Sequence, residues 1–209
     1  MIISLPHADS GYKTLGDLQG PLNYTELFGR EAPVELEIGA GRGDFIVQYA
    51  ASRPETNFIA VERKLVVLRK IVTKVKRAQL SNVRILNVEI RHFLREYVRG
   101  ESLHSVHVYF PDPWPKQRHT NRRLLVHAEN LDLIIKSIMT GGLLHFRTDV
   151  PDYFTTTAAL LDARPELERI VPPAELLAVK TGYEKRFEKH GIPTNVVSYQ
   201  TVKQGYRGE

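Results

Sequence analysis

The sequence predicts an α/β fold built on a parallel sheet with helices on both faces. Three observations predict it. Short apolar stretches alternate five times with stretches whose apolar residues recur at helical spacing, and such alternation needs crossover helices and parallel strands. A glycine-rich turn joins the first of these stretches to the first helix. The chain has 209 residues, 42% hydrophobic and 25% charged, which suits one domain with a real core.

The elements follow in order. Residues 1–32 are mixed in character and read as an N-terminal arm, ahead of a domain spanning 33–209. VELEI (34–38) is a strand pattern, and GAGRGDFIVQYAASRP is a turn, a helix and a proline stop. NFIAVE (57–62) is a second strand, and RKLVVLRKIVTKVKRAQL repeats apolar residues at helical spacing. VRILNV (83–88) is a third strand, followed by a helix, IRHFLREYVRG, that Gly100 closes. SVHVYF (105–110) is the fourth strand. In RRLLVHAENLDLIIKSIM, residues Leu124, Leu125, Ala128, Leu131, Ile135 and Ile138 fall on one helical stripe. Gly141 and Gly142 are expected to end that helix, leaving LLHFRTD (143–149) as the fifth strand. Beyond Pro151 come a helix (152–163), a strand around 167–171 and a final strand, NVVSYQTV (195–202).

Composition narrows the setting. With no cysteine there are no disulfides or thiolate metal sites, and a reducing cytoplasm is the simplest home. The N-terminus lacks the charged and apolar regions of a secretory signal, and no apolar run approaches the roughly 20 residues that cross a bilayer. No membrane partner is therefore expected. The net charge of +5 favours an anionic partner only weakly. Its distribution says more, because cations cluster at 63–77, 116–123 and 180–190. The cluster at 63–77 fits either an RNA groove or a solvated helix face.

In parallel sheets ligands sit beyond the carboxyl ends of the strands. Five places qualify: Gly39 to Gly43, Glu62, Asn87, Pro111 to Lys116, and Asp149. The loop has G-x-G-x-G spacing, not the G-x-G-x-x-G of dinucleotide binders, and acidic Glu37 stands just before it. A cationic ligand suits that acid better than a pyrophosphate does. Glu62, at the end of the second strand, can accept both hydroxyls of a ribose. Together these features suit S-adenosylmethionine. A glycine turn without a ligand is the plain alternative.

The segment Pro111-Asp112-Pro113-Trp114-Pro115-Lys116 ends the fourth strand. Prolines restrain their own φ and the residue before them, so Asp112 is expected in extended geometry beside the cofactor. Trp114 offers a stacking face, and Lys116, Arg118, Arg122 and Arg123 offer charge for phosphates. A carboxylate followed by an aromatic ring and cations suits an enzyme that selects a base within a polyanion, since a carboxylate can accept from the N1–H and N2–H₂ of guanine. A proline-stiffened loop before a solvated basic helix is the alternative. His104 and His107 have no evident third ligand for a metal, and His145 reads as a packed residue of the fifth strand.

EIGAGRG, FIAVE, YFPDPWPKQRHTNRRL and TGYEKRFEKHG occur in this order. The set resembles the signature of bacterial tRNA (guanine-N7-)-methyltransferases, over roughly residues 33–200. The resemblance implies a Rossmann-like methyltransferase fold with seven strands, the last antiparallel. It implies methylation of guanosine N7 at position 46 of the tRNA variable loop by a monomer or homodimer. Carried over by residue, Glu37, Gly39, Gly41, Gly43, Glu62 and Asn87 would hold S-adenosylmethionine. Asp112 would lie at the active site, against both cofactor and substrate. Lys116, Asp149, Thr181, Tyr183, Glu184 and Arg186 would meet the substrate. Asn121 departs from the family's run, where a lysine is expected. A methyltransferase of the same fold with another substrate, or an RNA-binding module without catalysis, remains the alternative.

Overall fold

The computed structural model describes residues 20–114 and 123–202, together with the backbone of 2–4. Lys116, Arg118, Asn121 and Arg122 lie outside the described residues. The strands are β1 (Ile2–Ser4), β2 (Val34–Ile38), β3 (Asn57–Val61), β4 (Val83–Leu86), β5 (Leu103–Tyr109), β6 (Ile138–Thr148), β7 (Leu167–Ile170) and β8 (Asn195–Thr201). The helices are α1 (Tyr24–Phe28), α2 (Asp44–Ala51), α3 (Leu65–Arg77), α4 (Ile90–Glu96), α5 (Ala128–Ser137), α6 (Pro151–Asp162), α7 (Ala174–Ala178) and α8 (Gly182–Glu188).

All strands join one sheet in the order β1-β4-β3-β2-β5-β6-β8-β7. β2 pairs in parallel with both β3 and β5, so the direction of winding reverses at β2. Its carboxyl end is thus the switch point where such folds place ligands. β8 runs antiparallel to β6 and to β7, as expected for the last strand. The seven strands β2–β8 form the expected sheet. β1, from the arm, adds an eighth antiparallel to β4, which the sequence pattern did not announce.

The central strands are buried on both faces, and β2 buries Glu35 and Glu37 along with its apolar residues. One face packs Leu36, Ile59, Val106 and Leu144 under α4, α5 and α6. The other packs Phe58, Ala60 and Ile85 under α2 and α3. α3 buries Leu68, Ile71 and Val75 and leaves its Lys and Arg residues to the outside. Each such buried side chain contributes about 1.5–3 kcal/mol.

Two elements differ from expectation. The long apolar stripe after Arg122 is not one helix. A single 3-10 turn (Leu124–Val126) precedes α5, which ends at Ser137. Ile138 already belongs to β6 and pairs with Leu103, and Gly141 and Gly142 lie inside the strand rather than before it. The register jumps from Leu103↔Ile138 to Ser105↔Leu143, so the glycines carry a bulge. A Cβ on Gly142 would come within 2.7 Å of the His104 carbonyl oxygen. Strand pairing overrides the helical stripe because Ile138 is buried between partners.

Candidate active site

β2 ends on Glu37 and Ile38, and the chain turns at once through Gly39-Ala40-Gly41-Arg42-Gly43 into α2. The amides of Gly39 and Ala40 both donate to the carbonyl of Val61, at 2.9 and 3.0 Å, which ties the loop to the end of β3. Gly39, Gly41 and Gly43 all have positive φ, of 75°, 54° and 72°. Gly43 has a second reason to be glycine, because a Cβ there would sit 2.8 Å from Ile71 Cγ2. Gly39 is different. It is exposed, with nothing within 4 Å of a notional Cβ, so space opens above the loop.

Glu62 and Asn87 finish β3 and β4 beside this loop. Glu62 accepts from the amides of Gly41 at 3.1 Å and Lys64 at 2.7 Å. Asn87 donates to the carbonyls of Glu62 and Arg63, both at 2.8 Å. The two side chains therefore shape the rim of the loop with the backbone's own donors and acceptors.

Glu37 lies beneath. Its side chain is 4% exposed, and Oε2 has no hydrogen-bond partner among the described residues. Burial pushes its carboxyl up to about 8, Arg147 pulls it down, and the charges of Asp44 and Glu62 push it up again. A buried, partnerless acceptor among three acids fits a cationic group. S-adenosylmethionine carries both an ammonium and a sulfonium, so the donor set fits the methionine end of that cofactor. Glu37, the glycine loop and Glu62 are the residues that would hold it.

The second half of the site follows β5. Phe110 and Trp114 have φ of 48° and 41°, so two of the three residues that precede a proline there are left-handed, whereas Asp112 is not among the positive-φ residues. Such a conformation costs about 1–3 kcal/mol per residue, and it persists only where surrounding contacts over-determine it. Asp112 lies between them and is exposed. The amide of Phe110 donates to the carbonyl of Arg147 at 2.8 Å, which continues the β5–β6 pairing to the bend. Tyr109 pairs with Arg147, so two residues further along the strands stand Pro111 and Asp149. Asp149 is half-buried.

Arg123 corrects an expectation. It is 3% exposed, donates to the Pro113 carbonyl and to Asp152, each at 2.7 Å, and lies over the ring of Tyr153. It is not a surface cation waiting for phosphate.

The segment from Thr181 forms α8, with Thr181 as its N-cap. Thr181 Oγ1 accepts from the amide of Glu184, and Glu184 accepts from the amide of Thr181, a complete capping box. Both oxygens of Glu184 also take the Nη1 of buried Arg147, at 3.0 Å. Thr181 and Glu184 are thus engaged with the protein itself. Tyr183 is 55% exposed and stacks on Phe110, ring centres 5.8 Å apart; Arg186 is exposed on the same helix. A Cβ on Gly182 would overlap the carboxylate of Asp44, so α8 rests directly on the start of α2.

Arg147 is a residue that sequence reasoning missed. It also donates to the carbonyls of Leu176 and Val179 and lies over the Tyr109 ring, 4.4 Å from its centre. The available signal was an arginine inside an otherwise apolar central strand, and the T-x-x-E of α8 was a readable cap. His107 is buried between Glu35 at 2.7 Å and Tyr109 at 2.8 Å, and His145 bonds Ser198 at 2.8 Å. His104 sits beside Ser105 at 3.2 Å.

Comparisons with known proteins place the chain in a family and a fold. A family model described as "Putative methyltransferase" matches residues 31–196. A tRNA (guanine-N(7)-)-methyltransferase of Syntrophotalea carbinolica is 37% identical, over 90% of this chain and 82% of the relative. A protein of the same name from Rhodopirellula baltica is 36% identical, over 92% of this chain and 74% of the relative. Among solved structures, a 16S rRNA methyltransferase, KamB, aligns with TM-score 0.60 at 15% identity, covering 87% of this chain and 93% of its own. A precorrin-6y C5,15-methyltransferase from Geobacter metallireducens aligns with TM-score 0.58 at 15% identity, covering 82% of each chain. The structural neighbours carry the fold alone, whereas the sequence relatives carry the family. With its glycine loop, its acids and its Pro-Asp-Pro-Trp strand end, the chain belongs to the tRNA (guanine-N7-)-methyltransferase family.

Proposed function

We propose that this protein transfers a methyl group from S-adenosylmethionine to N7 of guanosine in tRNA, at position 46 of the variable loop. The observation that carries the reading is the partnerless Oε2 of Glu37 under an open glycine loop at the sheet's switch point. The arm (1–32) precedes a catalytic domain (33–209) that acts in the cytoplasm as a monomer or homodimer.

When bound, S-adenosylmethionine supplies an electrophilic methyl on sulfur, open to in-line displacement. Guanine N7 has a lone pair and no proton, so no general base is needed and positioning dominates the rate. Glu37 holds the cationic methionine end, Gly39, Gly41 and Gly43 let the backbone approach it, and Glu62 takes the ribose hydroxyls. Asn87 keeps the β3–α3 turn in place near the adenine. Asp112 faces the base and stabilises the positive charge that grows on its imidazole ring. Tyr183 supplies a flat face, with Lys116, Asp149 and Arg186 on the substrate side. Thr181 and Glu184 serve the substrate by holding α8.

The test is incubation with labelled S-adenosylmethionine and unmodified tRNA, followed by nucleoside analysis. The expected product is 7-methylguanosine at one site, lost when the variable-loop guanosine is replaced. Label in any other nucleoside overturns the reading.

A further inference from the structure

We propose that Arg123 is a positioning residue that clamps the Pro111–Trp114 bend and so aims Asp112, and that it does not contact RNA. The inference rests on the functional reading above for the role of Asp112. The clamp itself rests on geometry.

Arg123 closes a run of cations, which invites the view that it binds phosphate. Its surroundings exclude that. The side chain is buried, with the Nε donating to the carbonyl of Pro113 at 2.7 Å. The Nη1 donates to Asp152 Oδ2 at 2.7 Å, and the guanidinium carbon stands 4.8 Å from the ring centre of Tyr153. One planar group therefore joins the bend, the first turn of α6 and an aromatic ring of α6. The Tyr153 hydroxyl in turn accepts from the amide of Leu125 at 3.3 Å, so the same ring braces the 3-10 turn that follows Arg123.

The bend needs such a brace. Phe110 and Trp114 are both left-handed although each precedes a proline, which disfavours any helical conformation for the residue before it. Pro113 has no amide hydrogen, so its carbonyl is the group by which the middle of the bend can be gripped. Asp112 lies one residue before that carbonyl, and its charge reaches the Tyr153 hydroxyl. Lysine would keep the charge but not the fork that spans two acceptors in different directions.

The test uses the full chain and its single tryptophan, Trp114, whose emission reports on the bend alone. Arg123→Lys and Arg123→Gln are compared with the parent. In ligand-free protein, acrylamide quenching of Trp114 is expected to rise in both variants. Single-turnover methylation is expected to fall by roughly 10–100-fold, the scale of a misplacement near 1 Å. S-adenosylmethionine affinity, tRNA affinity and the slope of log Kd against log salt are expected to stay as in the parent. A slope lowered by about 1, with an unchanged single-turnover rate, makes Arg123 a phosphate contact and overturns the proposal. Unchanged quenching and rate overturn it too. So does loss of cofactor binding in Arg123→Lys, which is the mark of a general core residue. If the parent forms no 7-methylguanosine, the functional reading fails, while the quenching result still judges the clamp.

Discussion

At the scale of single residues, burial separates two carboxylates at the ends of β2 and β5. Asp112 is exposed, whereas Glu37 is buried with its carboxyl raised to about 8. In the unfolded chain Glu37 releases its proton near 4.5, so between 4.5 and about 8 the folded chain binds more protons. The ligand-free protein should lose stability as pH rises through that window, with a slope of at most about 1.36 kcal/mol per unit. Glu37→Gln is expected to flatten that slope in thermal or urea unfolding, and to weaken S-adenosylmethionine binding at least about tenfold by calorimetry. Asp112→Ala should do the reverse: cofactor affinity stays, and single-turnover methylation loses on the order of 100-fold or more. Glu37, Glu62 and Asp112 could be named from their places at strand ends. The structural roles of Arg147 and Arg123 could not be assigned that way, because a cation reads as exposed until its acceptors are seen.

At the scale of elements, α8 shows how a short helix becomes part of a site. Its capping box and Arg147 hold its start, and Gly182 lets it settle on Asp44. Thr181→Ala should cost about 1 kcal/mol and lower Tm by about 2–4 °C in a thermal melt. Gly182→Ala should destabilise more, and Asp44→Ala added to it should recover part of the loss in a double-mutant cycle, because the two side chains then no longer overlap. Strands and long helices were legible from period alone, since β2 places apolar residues at every second position, β5 does so from Val106 on, and α3 keeps a clear stripe. The β6 start was not. Its helical stripe and two glycines argue for a helix end, and only pairing with Leu103 shows a strand with a bulge.

At the scale of the whole molecule, the sheet order brings the ends of β2 and β5 side by side, so the glycine loop and the Asp112 bend share one edge. A net charge of +5 and the basic outer face of α3 favour a polyanion. The expected signature is that tRNA binding weakens about tenfold or more between 50 and 200 mM salt while S-adenosylmethionine binding barely changes, read by anisotropy and calorimetry. By itself the sequence determined the fold class, the motif order and the acids at strand ends, because these depend on local period and spacing. Only the tertiary structure decided which charges remain for ligands. Arg123 and Glu184 lost that freedom to Asp152 and Arg147, 29 and 37 residues away in the chain, and burial rather than residue type left Glu37 with an oxygen still to be satisfied.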